Sequence, residues 1–90
     1  MIPARTTVPD DVAQELRRVV QRWRQLPLDH ALTHVPSVHA VLAELADGPA
    51  PAGGPQVVMD QLTVLVQDAC REGRSAGVAE RLVALRRVLS

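Results

Sequence analysis

The 90-residue chain has no Phe and no Tyr, and a single Trp. Its core must therefore be built almost wholly from Leu, Val and Ala, with Trp23 its one large aromatic side chain. Many small side chains must be buried to offset chain entropy, each fully buried Val or Leu contributing roughly 1.5–3 kcal/mol. A chain of this size stands to gain stability by burying further surface in an oligomer. Lysine is absent too: the 10 cations are all Arg, set against 10 Asp and Glu residues. Beside so much Ala, Val, Leu, Pro and Gly this is the bias of a GC-rich, bacterial type of genome, and it carries no functional weight. The formal net charge of zero supplies no general attraction to phosphate backbones or anionic membranes, so any such binding would need a local patch.

The lone Cys70 excludes an internal disulfide framework and a thiolate zinc cluster. No run approaches the ~20 apolar residues of a membrane span, and the opening MIPARTTVPDD lacks the apolar centre of a signal peptide. The expected location is the cytoplasm.

What is present is an ordinary globular balance, 47% hydrophobic and 22% charged, in the length of one domain. The segment TTVPDD announces a first helix, with Thr7 as cap and Pro9, Asp10 and Asp11 in its first turn. Val12, Leu16, Val19, Val20 and Trp23 form its apolar stripe. Acids at its start and arginines toward its end complement the helix dipole. Pro27 ends it, because proline removes a backbone donor and disfavours helical geometry in the residue before it. Leu28 to Val35 then reads as a short helix, and Pro36 opens another that runs to Asp47 and is capped by Gly48. The stretch GPAPAGGP, residues 48–55, reads as an exposed linker. Beyond it, Pro55 to Gly73 and Val78 to Leu89 form two helices, with Arg74, Ser75 and Ala76 turning the chain between them.

The expected fold is thus all-α, a small bundle of four main helices with one short extra helix, the last two forming an antiparallel hairpin. Residues 1–90 form a single domain: a helical half over 8–47, the linker over 48–55 and the hairpin over 56–90. The interior is predicted to hold Leu16, Val20, Trp23, Leu32, Leu42, Leu45, Leu62, Leu65, Leu82 and Leu85.

Among candidate chemical groups, His30 and His34 have the one-turn spacing of a metal-binding pair, with Asp29 as a conceivable third ligand. On a helix whose inward face is Leu28, Leu32 and Val35 they point to solvent, and His39 is not held near them, so they are only weak candidates and no metal or other cofactor is expected. Cys70 sits near a helix carboxyl end, where the dipole raises a thiol pKa, and reads as a small buried apolar side chain. Asp60 and Asp68 are about 12 Å apart along their helix, too far for paired acid–base work. Gly53 and Gly54 lack the Lys and Thr of a phosphate loop, and Ser37, Ser75 and Ser90 lie in no nucleophile-elbow context. Catalysis is not expected, and no small-molecule substrate is indicated.

Arg17, Arg18, Arg22 and Arg24 form a candidate nucleic-acid surface, but acids on the same helix dilute their field, and Trp23 falls in the inward stripe rather than among them. More apolar residues occur than the stripes require: Val57, Val64, Ala76 and Val88 lie off or at the margins of the stripes of the last two helices. The leading expectation is a non-enzymatic protein that acts by helix-face association, with itself as a homodimer or with a protein partner, through Val57, Val64, Val88 and Leu89. Nucleic-acid binding through the arginines is the alternative, and no membrane partner is expected.

Overall fold

A computed structural model of the protein describes residues 8–46 and 53–90. Four α-helices account for most of them: α1 (Asp10–Gln25), α2 (Leu28–Ala46), α3 (Val58–Arg71) and α4 (Val78–Leu89). There is no strand among the described residues, and the chain is an all-α bundle.

α1 follows its apolar spacing, with Val12, Val19 and Trp23 buried and Leu16 and Val20 packed on the edge of the core. Pro9 is its cap, with φ −59° and ψ 152°, and its carbonyl accepts the Ala13 N–H at 2.9 Å. Thr7, the expected cap, lies outside the described residues. At the far end Leu26 is extended, φ −78° and ψ 136°, as the residue before a proline must be.

α2 departs from the sequence expectation. Pro36 does not separate two helices; it lies inside one helix of 19 residues. The inward stripe runs unbroken through Ala31, Val35, Val38, Leu42 and Leu45. Pro36 falls about 140° around the helix from Ala31, and it is exposed. The hydrogen bond it cannot donate is therefore on the solvent side, where water can reach the Leu32 carbonyl. Continuity also fixes the rotational phase of the first two turns. Leu28 and Leu32 are carried out of the core to 64% and 52% exposure, so Leu32 is not an interior residue and Ala31 takes that place.

α3 ends in a left-handed Gly73, φ 78°, as expected. The Arg74 N–H donates to Ala69 O at 2.7 Å and the Gly73 N–H to Cys70 O at 3.1 Å, the paired bonds of a Schellman cap. The turn to α4 is longer than its three-residue expectation, and Gly77, also at φ 78°, stands at the α4 amino end.

The strongest packing joins the first helix to the last. α1 packs chiefly on α4 and α2 on α3; α4 also packs on α2, whereas α1 and α3 touch only lightly. α3 and α4, although joined by a short turn, share little contact, so they are not the closely packed pair that the hairpin expectation implied. Two left-handed glycines in their connection redirect the chain before α4 begins. Every fully buried large side chain is Leu or Val, and among the described residues no polar or charged one is buried. Of the predicted interior, Trp23, Leu42, Leu45, Leu62, Leu82 and Leu85 are buried, while Leu16, Val20 and Leu65 are half-buried against the same cluster.

Two ring nitrogens hold the chain where it enters α3. Trp23 Nε1 donates to Pro55 O at 3.1 Å, and His39 Nε2 donates to Gly53 O at 2.9 Å. Residues 53–55, read from the sequence as the end of an exposed linker, are thus tied to α1 and α2; residues 48–52 of that linker lie outside the described residues.

Candidate interaction surfaces

The outward face of α3 is defined by what the core leaves over. Val58, Met59, Leu62, Val66, Ala69 and Cys70 turn inward. Val64 therefore projects outward near the middle of the helix at 53% exposure, with Val57, about two turns earlier, at 41%. Asp60, Gln61, Val64 and Leu65 enclose a shallow hollow of about 250 Å³ on this face. Farther along α3, Arg71 and Asp68 form an exposed ion pair. Val88 on α4 is 48% exposed, but Leu89 is 2% exposed and belongs to the core. Leu89 is therefore a structural residue and not a contact offered to a partner. Leu28 and Leu32, one turn apart on α2, form a further exposed aliphatic pair that the interrupted reading of that helix had placed inside.

The second surface is the groove where α1 and α3 diverge. Leu16 and Val20 of α1 and Thr63 of α3 line it, with Gln14, Gln21, Arg17, Arg18 and Arg24 around them, and its volume is about 640 Å³. Both aliphatics sit at the margin of the α1 stripe, half-buried against the core, on a helix that α3 packs against only lightly. In the sequence Leu16 and Val20 look like ordinary core positions. Their visible signal is angular, since both lie to the same side of the Val12, Val19 and Trp23 axis.

The arginines of α1 divide into two kinds. Arg18 pairs with Glu15 at 2.9 Å, and Glu15 also receives Arg86 of α4 at 3.1 Å. Arg22 Nε donates to Leu89 O at 3.0 Å, across the α1–α4 contact. Arg17 and Arg24 make no ion pair or hydrogen bond among the described residues, and both are exposed. The four-arginine surface read from the sequence is thus two structural arginines and two unengaged ones.

His30 is exposed and His34 half-buried, and with Arg22, Leu26, Thr33, Leu89 and Ser90 they border a depression of about 350 Å³. No group of three His, Cys, Asp or Glu side chains able to hold a metal ion occurs among the described residues. His39 is turned away to Gly53. Cys70 is buried, and burial pushes its thiol pKa up, with the Asp11 carboxylate adding to the effect. The carbonyl end of α3 and a low-dielectric setting both hold it as an inert thiol. Asp68 is spent on Arg71, and Asp60 stands alone on the outward face. No described helix is long and apolar enough to cross a membrane.

No protein-family model, curated protein or solved structure matches this chain. Its function has to be argued from these surfaces alone.

Proposed function

We propose that the chain is a small non-enzymatic protein that acts by helix-face association with another polypeptide, and that the outward face of α3 is the contact. The observation that carries this reading is the alignment of Val57 and Val64 on one exposed face beside the half-buried Leu65. Isolated exposed aliphatics are ordinary, but a set aligned along one helix and flanked by ionic groups has the composition of a contact centre with a polar rim. A bundle with a Leu, Val and Ala core and no Phe or Tyr also gains from covering such a face.

The form open to immediate test is pairing with a second copy. Light scattering behind size-exclusion chromatography at high micromolar concentration should give a mass above that of the monomer, and Val64→Asp should return it to the monomer. A mass that stays monomeric in both proteins contradicts self-association.

A further inference from the structure

We propose that the α1–α3 groove is a docking site for an acidic amphipathic helix of a partner protein. It stands on a different surface from the outward face of α3, so the two readings fail separately.

Three features specify the occupant. The floor is aliphatic: Leu16 and Val20, one helical turn apart, are half-buried against the core, and Thr63 of α3 lines the groove with them. A helix laid along the groove with its own aliphatic stripe would remove the remaining area from water. α1 supplies seven of the eight lining residues and α3 the eighth, Thr63, and these two helices are the most lightly packed of the four main helix pairs. The vacancy is thus the position that a further helix takes in a bundle. The unengaged charge has one sign: no acidic side chain lines the groove, and Arg17 and Arg24, free of ion pairs among the described residues and about two turns apart, stand beside its aliphatic floor, whereas Arg18 is held by Glu15. Acids on both flanks of the incoming stripe would meet them, adding steering and specificity to the apolar contact.

The same arginines raise the question of nucleic acid, and the floor decides against it. A phosphate backbone needs no aliphatic strip, and Trp23, the chain's one large aromatic side chain, is 7% exposed and cannot stack on a base, while no histidine lines this groove.

The test uses the full chain and three fluorescently labelled probes. Two are synthetic helical peptides on one Leu–Ala scaffold, flanked by Glu in the first and by Lys in the second; the third is a single-stranded oligonucleotide. Fluorescence anisotropy at moderate salt should show the Glu peptide bound at least about tenfold more tightly than either other probe. Arg17→Glu with Arg24→Glu should reverse the preference between the peptides. Arg17→Gln with Arg24→Gln should abolish it without reversal, which separates loss of charge from loss of fold. Amide shifts caused by the Glu peptide should centre on Leu16, Val20 and Thr63. Equal binding of the two peptides, a preference that survives both double substitutions, or shifts confined to other surfaces would overturn the proposal. Tighter arginine-dependent binding of the oligonucleotide would also overturn it and make nucleic acid the occupant.

Discussion

Cys70 is the only side chain in this protein that ionises between about pH 8 and pH 11, because Lys and Tyr are both absent. Burial, reinforced by Asp11, holds its folded pKa above the unfolded value. Below about pH 8.5 the thiol is protonated in both states and contributes no pH dependence. As pH rises past that value the unfolded thiol ionises first, so stability falls by up to about 1.4 kcal/mol per pH unit until the folded thiol also ionises. Chemical denaturation as a function of pH should show this decline in the native chain and a flat profile in Cys70→Ala; an equal decline in both would contradict the assignment. Leu89 supplies a contrast with Val64. Leu89→Ala removes a side chain that is 2% exposed and should cost about 2–5 kcal/mol. Val64→Ala, at a site 53% exposed, should change the stability of the monomer by no more than about 0.5 kcal/mol. Urea titration of the two variants checks both.

The helices themselves show where residue-by-residue reading holds and where it fails. The start and stop of α1, the glycine cap of α3 and the stripes of α3 and α4 were legible, because proline, glycine and apolar spacing act within a few residues of where they stand. The break expected at Pro36 was not, because a proline's local cost competes with the packing of a long stripe on both sides of it. Val38, Leu42 and Leu45 anchor one half of α2 and Ala31 with Val35 the other, and keeping them on one axis outweighs one lost hydrogen bond. The cost of that bond should still be measurable. Pro36→Ala should stabilise the protein by up to about 3 kcal/mol without changing its helix content, as thermal denaturation followed by circular dichroism would show. A destabilised variant would mean that the ring itself packs against something, contrary to its exposure. The misplacement of Leu32 follows from the same competition, since the phase of two turns read alone differs from their phase within a helix of 19 residues.

At the scale of the whole molecule, the helix pairings were the least legible feature. The turn between α3 and α4 is short, yet two left-handed glycines within it send α4 to α1 and α2. The candidate surfaces divide along the same line. Val57, Val64 and Val88 could be read as exposed because each lies off a single helix's own stripe. Leu89 continues the Val78, Leu82 and Leu85 spacing, so its core position was legible and its reading as a contact ran against that stripe; the α1–α3 groove could not be seen, because it depends on how far one helix stands from another. The association reading gathers these features: a hydrocarbon interior, an aliphatic outward face on α3 and two unengaged arginines at the edge of an open groove. Its central claim is that the outward face of α3 is covered in solution. The most direct measurement is the mass of the native chain and of Val64→Asp by light scattering over a concentration series reaching high micromolar. The account predicts a native mass that rises with concentration above the monomer and a variant that stays monomeric throughout. A native chain that remains monomeric at every concentration, and indistinguishable from the variant, would contradict it.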